Sequence, residues 1–584
     1  MDTKTFLENF GHIADAPNGV QKLRDLVLQL AVSGRLSNKQ ENDKSVNLLI
    51  DDAKAYKEEY GSKLKIRKSK PLPEMAKEEI LFGVPEHWVW IRLDDVASYI
   101  QRGKGPKYVD KSNTHVVSQK CVQWSGFDIT RARYVDVKLL GSYGEERFLV
   151  PGDLLWNSTG TGTVGRINVY PADLEGRVVA DSHVTIIRLA NIEPRYAWCF
   201  IASPWVQSRI EPDHEDSLVS GTTQQVELNT SSVKGLPIPL PPLEEQKRIV
   251  TKVEQLMTLC DQLEEKQNNR SETHTSLTHA VHHQLTDASE PAALLPAWER
   301  IRDNFDYLYT TVESVTALRQ VILQLAVQGR LVPQDSSDEP ASAYLSRIKA
   351  EKDILIDKGK IKKGKQLAHI NQDDMPFSIP TGWEWVRLQD LAEIITKGSS
   401  PKWQGVEYVE QDKGILFITS ENVGNYVLRL VKKKYVEPRF NEIEPRSILA
   451  DGDILMNIVG ASIGRTAVFN LKSVSANINQ AVCLIRLIDV SKADTLPYLL
   501  HFLNSDVGLQ YMIGNQVENA RANLSMGNIA KFTIPLPPVA EQKRIVKKVD
   551  QLMSLCDQLE AKITASQSTA ESYAVAATQQ IAAA

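Results

Sequence analysis

Two long helical stripes stand out in the pattern of apolar and polar positions. Ile249, Val253, Leu256, Cys260 and Leu263 recur at alternating spacings of four and three, and Ile545, Val549, Leu552, Cys556, Leu559 and Ile563 keep the same rhythm near the C-terminus. This is the a/d seam of a heptad helix, with the two cysteines as small buried hydrophobes. Leu240-Pro-Pro-Leu243 and Leu536-Pro-Pro-Val539 fix each helix entry, because proline suits a helix start and disfavours helix before it. About 40 helical residues from Glu244 would extend on the order of 60 Å. A further run, Ile301, Phe305, Leu308, Val312 and Val315, follows Pro296. The pattern thus predicts a pair of long antiparallel helices in the middle of the chain.

The frame is written twice. Leu23-Arg-Asp-Leu-Val-Leu-Gln-Leu-Ala-Val-Ser-Gly-Arg-Leu36 returns as Leu318-Arg-Gln-Val-Ile-Leu-Gln-Leu-Ala-Val-Gln-Gly-Arg-Leu331, and Asn9-Phe10 returns as Asn304-Phe305. Val84-Pro-Glu-His-Trp-Val-Trp90 returns as Ile379-Pro-Thr-Gly-Trp-Glu-Trp385, and the exit at Ile238 returns at Ile534. Between these landmarks, residues 84–243 and 379–538 keep only a skeleton in common. A duplicated frame therefore carries two diverged inserts. The N-terminal segment lacks a long helix before it and the C-terminal helix lacks one after it. Packing residues 1–36 against 540–575 would restore what the centre holds in one piece, so a circular pseudo-twofold arrangement is expected.

Each insert opens with Trp-x-Trp and a Gly/Lys-rich loop, Gln101–Lys107 or Thr396–Lys402. Short strand-like runs follow, such as Tyr134–Leu140 and Gly414–Thr419, then a Gly-Asp turn into Leu154-Leu-Trp156 or Ile454-Leu-Met456. The expected fold class is mixed α+β: two globular α/β domains separated by two long antiparallel helices. The segments read as 1–83, helical with a basic string; 84–243, first insert; 244–335, central helices; 336–378, helix and basic string; 379–538, second insert; and 539–584, C-terminal helix.

Composition narrows the function. The 584 residues leave room for several domains, and no run of about 18 apolar residues is present to span a membrane. Met1-Asp2-Thr3-Lys4 lacks the order of a signal peptide. Five scattered cysteines without a CxxC pair argue against disulfides and zinc and for a reducing, cytoplasmic setting. A net charge of −5 would repel DNA if smeared over the surface, so any DNA contact must come from local patches or basic partners.

Catalytic motifs are missing: no phosphate-binding Gly-x4-Gly-Lys-Ser/Thr loop, no Asn/Asp-Pro-Pro-Tyr, no nucleophile elbow and no His-Glu-x-x-His. Gly160-Thr-Gly-Thr-Val-Gly165 fits GxGxxG, but strand-like Arg166–Tyr170 follows where a dinucleotide site needs a helix, and Gly460–Gly464 has lost the spacing. A strand-to-strand turn explains it better. His279, His282 and His283 fall in a polar helix tail and read as solvated. No metal site and no cofactor is expected in this chain.

The combination of Trp-x-Trp, Gly-Asp-Ile/Leu-Leu, Gly-x-x-x-Gly-Arg and Ile-Pro-Leu-Pro-Pro, followed by Glu-Gln-Lys-Arg-Ile-Val, resembles the specificity subunits of Type I restriction–modification systems over almost the whole chain. The resemblance implies that each insert is a target recognition domain reading one half of a bipartite site on double-stranded DNA. It implies that the helical frame is a spacer docking two methyltransferase subunits, which bring S-adenosylmethionine and methylate adenine N6. It also implies ATP- and Mg-dependent motor-nuclease restriction subunits as partners, and a prokaryotic chain with no catalysis of its own. Deleting four residues within 264–290 is then expected to change the tolerated gap between half-sites.

Divergence of the inserts predicts two different half-sites. Ser118, Gln119, Lys120, Ser182, His183, Thr222, Thr223 and Gln224 in the first insert are candidates for reading bases, as are Thr419, Ser420, Asn422, Asn479, Gln480 and Arg521 in the second. Such side chains match base-edge donors and acceptors. Loop lysines Lys104, Lys107, Lys397 and Lys402, with the glycine-flanked Arg166 and Arg465, are candidates for holding phosphates. The basic strings 63–70 and 358–365 fit either a DNA track or a solubilised linker. Two other function classes compete: an enzyme using the glycine loop for a cofactor, and a scaffold that binds only proteins.

Overall fold

The computed structural model describes residues 3–66, 72–160, 162–174, 176–222, 225–287, 291–362, 364, 366–488, 492–514 and 523–583. They form two compact units, Met1–Arg270 with Ser566–Ala584, and Ser271–Ala565. Each is a mixed helix-and-strand body, as the pattern predicts. In the first unit the chain ends meet: Ala574 and Ala577 are buried with Ile13, Val20 and Leu23, and Arg35 donates to the main-chain oxygen of Ile581 at 2.8 Å.

The first unit begins with α1 (Gly19–Val32) and α2 (Val46–Lys63). Its strands are β1 (Val89–Arg92), β2 (Ala97–Arg102), β3 (Tyr108–Val109), β4 (Thr114–Val117), β5 (Val122–Gln123), β6 (Gly126–Phe127) and β7 (Arg133–Val135). They continue as β8 (Leu154–Asn157), β9 (Ile167–Val169), β10 (Arg177–Ala180), β11 (Val184–Leu189), β12 (Val219–Thr222), β13 (Gln225–Leu228) and β14 (Pro237–Leu240). Two four-stranded sheets result, ordered β2-β11-β8-β9 and β10-β4-β7-β3, with β10 and β4 parallel. All four residues of β8 are buried, which is why Leu154-Leu-Trp156 reads as a continuous apolar run rather than an alternating one.

The helix α3 (Leu243–Asp287) starts in the first unit. The second unit holds α4 (Val312–Val327), α5 (Ala341–Asp357) and β15 (Glu384–Arg387), β16 (Ala392–Lys397), β17 (Ile415–Ile418), β18 (Lys434–Val436) and β19 (Asp453–Asn457). It continues with β20 (Thr466–Phe469), β21 (Ala476–Ile478), β22 (Val482–Leu487), β23 (Thr533–Leu536) and the start of α6 (Val539–Ala583). Sheet order repeats the first unit: β16-β22-β19-β20 beside β18-β17-β21.

The repeated Pro-rich exit and its Glu-Gln-Lys-Arg tail now have physical reasons. β14 and β23 form two-stranded sheets with β1 and β15, a position that tolerates proline. Tyr196 donates to the Pro239 carbonyl and Tyr498 to that of Pro535. Buried Gln246 and Gln542 donate to the carbonyls of Pro241 and Pro537, and Arg248 and Arg544 pair with Asp43 and Asp338. Buried Glu245 accepts from Ser37 and lies 2.8 Å from the His87 ring, while Glu541 accepts from Gln334 and Trp383. The Gly-Asp turns put Asp153 and Asp453 under the sheets, where each pairs with an arginine, Arg188 and Arg486, and accepts from the backbone N–H three residues back.

Both long helices are 45 residues, roughly 67 Å at 1.5 Å per residue. Seam residues Ile249, Val253, Cys260, Ile545, Val549 and Cys556 are buried, and Leu256, Leu263, Leu552 and Leu559 are half-buried. In the first unit Cys260 and Leu263 of α3 pack near the end of α6, at Ala570, Ala574 and Ala577. In the second, Val281 and Leu285 of α3 share a core with Ile545, Val549 and Cys556 near its start. Arg24 of α1 bridges Asp261 and Glu264, and Arg319 of α4 repeats this with Asp557 and Glu560.

Three expectations differ from the structure. The run from Ile301 to Val315 is not one long helix: Pro291–Asp303 and Phe305–Leu308 are separate, and α4 starts anew where Thr311 caps the Ser314 N–H. The strand expected over Tyr134–Leu140 ends at Val135, because the Asp136 side chain accepts from the Lys138 N–H and opens a 3₁₀ turn. His282 is not solvated. It is 5% exposed, its ring stacked on and hydrogen-bonded to Tyr309; burial pushes its pKa down to about 4.

Candidate nucleic-acid interface

The parallel strands β4 and β10 end side by side at Val117 and Ala180, and each opens into a polar loop. The Asp181 N–H donates to the Val117 carbonyl at 2.9 Å, which ties the two loops at their roots. Asp181 is itself buried, accepting from the His183 N–H at 2.9 Å and the Tyr108 hydroxyl at 3.2 Å. Burial pushes the Asp181 carboxyl above its ordinary range, against these hydrogen bonds. Burial, with Asp181 alongside, pushes the Tyr108 hydroxyl up to about 12. The Gly/Lys loop closes over the same end: a methyl group at Gly103 would collide with the Ala180 and Asp181 carbonyl oxygens.

Fully buried Asn157, at the end of β8, donates to the main-chain carbonyls of Gln119 at 3.0 Å and Val122 at 3.4 Å. The Gln119 side chain accepts from the Thr163 hydroxyl in the Gly160–Gly165 turn. That turn joins β8 to β9 with Gly160, Gly162 and Gly165 at positive φ, so GxGxxG here is a strand-to-strand connection. Thr159 hydrogen-bonds His183 at 2.6 Å and bridges to Glu227, which brings the β12–β13 hairpin to the same end. Ser118, Gln119, Lys120, Asp181 and His183 thus line one cleft.

The same cleft contains Tyr108, Arg131 and Arg133, which no motif in the sequence marks. The Arg133 guanidinium lies 3.8 Å over the Tyr108 ring. A basic, polar, concave surface of this kind suits phosphates and base edges.

Among the other expected residues, Lys104 and Lys107 are exposed on the Gly/Lys loop, with the Lys104 ammonium 5.0 Å from the Tyr143 ring. Ser182 is exposed, and Thr222 belongs to β12. Arg166 braces its turn, donating to Gln123 at 2.6 Å and to the Gly162 carbonyl at 2.7 Å. Thr223, Gln224 and Arg521 lie outside the described residues, as do parts of the basic strings 63–70 and 358–365.

The second unit repeats the main supports of this scaffold. Asn457 donates to the carbonyls of Ser420 and Val423. Asn479 stands where Asp181 does: its N–H donates to the Ile418 carbonyl and its side chain accepts from the Ala481 N–H. Gly398 approaches Ile478 and Asn479 as Gly103 approaches Ala180 and Asp181. Thr419 and Asn422 are buried and hold the loop: Asn422 accepts from the Thr419 N–H and hydroxyl and donates to the carbonyls of Arg429 and Lys432. Ser420 and Gln480 are half-buried, and Lys397, Lys402 and Arg465 are exposed.

Register shows which residues differ between the copies. Ser118, Gln119, Lys120 and Cys121 stand where Thr419, Ser420, Glu421 and Asn422 stand, and Ser182 and His183 correspond in register to Gln480 and Ala481. The supports Asn157/Asn457 and Gly103/Gly398 coincide, while the loop side chains change in size, polarity and charge.

The family model described as the Type I restriction modification DNA specificity domain matches residues 85–272 and 380–566. The chain is 32% identical to the Type I restriction enzyme EcoEI specificity subunit of Escherichia coli, over 94% of this chain and 92% of that one. It is 31% identical to the EcoAI specificity subunit of the same organism, with the same coverage. A solved chain described under complex assembly and conformational transition of the type I R-M system is 20% identical, with a TM-score of 0.45, covering 86% of this chain and 99% of that one. Among the described residues, no group of three or more His, Cys, Asp or Glu is arranged to hold a metal, and no helix is long and apolar enough to cross a membrane.

Proposed function

The chain belongs to the Type I restriction–modification DNA specificity family, and we propose that it reads an asymmetric, bipartite site on double-stranded DNA, one half-site per unit. The observation that carries this is the pair of equivalent loop clusters, held by matching supports and presenting different side chains. Asn157 and Asn457, Gly103 and Gly398, and Asp181 and Asn479 hold equivalent loops in place. Gln119 and Lys120 against Ser420 and Glu421, with His183 against Ala481, offer different donors, acceptors and charges to a base edge. Two identical readers would favour a palindrome; these favour two unlike half-sites.

In this reading the chain does no chemistry and binds no cofactor. Its duplicated helical frame spaces the readers and positions two methyltransferase subunits, which carry S-adenosylmethionine and methylate adenine N6, and ATP- and Mg-dependent restriction subunits that act on unmodified sites. The complex works in the prokaryotic cytoplasm. The names of the relatives, specificity subunits of Type I restriction enzymes, support the assignment.

Sequencing modified adenines genome-wide in a host carrying the complete system tests the proposal. It predicts modification at one bipartite motif with two different halves and a fixed gap. A palindromic motif, or modification without sequence preference, would overturn it.

A further inference from the structure

The strand register carries one inference past the base-reading loops. Val117 of β4 and Ile418 of β17 are equivalent, since each accepts through its carbonyl from the first residue of the neighbouring loop, Asp181 or Asn479. One residue earlier, Val116 pairs with Arg133 and Phe417 pairs with Lys434. Arg133 therefore occupies the same position as Lys434, and Arg131 the same as Lys432. These positions keep positive charge in both copies, although every residue of the adjacent loop, Ser118–Cys121 against Thr419–Asn422, has changed.

That contrast separates two kinds of DNA contact. A side chain that reads a base must change when the half-site changes. A side chain that holds a phosphate carries no sequence information and is free to stay. The loop lysines behave differently: Lys107 stands opposite Glu407, because the N–H groups of Asp136 and Glu437 donate to the carbonyls of residues 107 and 407.

We propose that Arg131 and Arg133, and at the equivalent positions Lys432 and Lys434, are the phosphate-holding residues of the two half-site readers. The proposal rests on the DNA-reading function above. Position supports it: Arg131 and Arg133 line the cleft that holds Ser118, Gln119 and Lys120. Asn422 links Thr419 to the Lys432 carbonyl, fixing the basic edge beside the second loop. Arg131, Arg133, Lys432 and Lys434 are all exposed. Their ion pairs, Arg131 with Asp128 and Lys434 with Glu421, are surface pairs that a phosphate can displace at small cost. Asp128 occupies the position of Arg429, so the second edge, which also has Lys433, is the more positive of the two.

The test uses the full chain assembled with its modification subunits. Affinity for cognate and for random duplex is measured against salt for Arg131→Gln/Arg133→Gln, Lys432→Gln/Lys434→Gln and the charge-keeping Arg133→Lys and Lys434→Arg. Each neutralised contact is expected to flatten the slope of log affinity against log salt by about 0.9. Both duplexes should weaken together, with base preference unchanged and a comparable change of slope in the two double variants. The charge-keeping variants should retain the slope. An unchanged slope in variants whose melting temperature matches wild type would overturn the proposal, as would a change of base preference in one half. If the wild-type complex shows no bipartite preference, the functional reading fails instead.

Discussion

Asn157 holds Gln119: its side-chain amide donates to the Gln119 carbonyl at 3.0 Å from a fully buried position at the end of β8. Asn457 does the same for Ser420 at 2.9 Å. A loop meant to present side chains to DNA is thus pinned by its backbone, which leaves those side chains free to vary. Asn157→Ala should cost on the order of 1–3 kcal/mol by stranding buried carbonyls, and Asn157→Asp more, because a carboxylate would face them. Thermal unfolding reads the loss, and half-site selection should blur in the first half only.

Glycine at 103 and 398 is a matter of space. A Cβ at either position meets the carbonyl oxygens of the strand end beneath it. Gly103→Ala and Gly398→Ala should each lift one Gly/Lys loop, weakening the corresponding half-site at least tenfold in binding assays. Gly83→Ala serves as a control for general effects: its backbone does not need a positive φ and nothing lies within 4 Å of the added methyl.

Burial of His282 makes the second unit sensitive to acid. Its folded pKa is pushed down to about 4, whereas an unfolded histidine takes up its proton near pH 6.5. Between these values the unfolded chain binds more protons, so stability falls as pH drops from about 6.5 towards 4 and levels off below. The predicted loss reaches about 3 kcal/mol at the lower end. Unfolding of wild type and His282→Gln at pH 7 and pH 5 should show a smaller pH dependence in the variant.

The helical seam should be costly to truncate on one face and tolerant on the other. Ile545→Ala empties a fully buried site and should cost about 2–5 kcal/mol. Leu555→Ala, on the same helix but 59% exposed, should change unfolding free energy by less than about 0.5 kcal/mol. Chemical denaturation of the full chain compares them.

Much of the frame was legible because helices and turns write themselves locally. The four-three rhythm of Ile249 to Leu263 gave the seam, and strand-like residues after Gly165 exposed the false cofactor loop. His282 was missed although the signal was there: Thr278, Val281, His282, Leu285 and Thr286 lie on one helical face and are all buried. The break after Asp303 depends on Thr311 capping a new helix, a cue the apolar run obscured. Arg131 and Arg133 escaped notice because their importance comes from pairing with β4, a relationship between distant segments. For the same reason Thr419 and Asn422, read as outward polar residues, turned out to bond within their own loop.

The separate-reader claim is tested most directly by exchanging Gln119 and Lys120 for Ser and Glu, the residues at positions 420 and 421 of the second unit, and sequencing modified adenines in a host carrying the altered system. The predicted result is a changed or relaxed preference in one half of the motif, with the other half and the gap unchanged. Loss or change of equal size in both halves would contradict it.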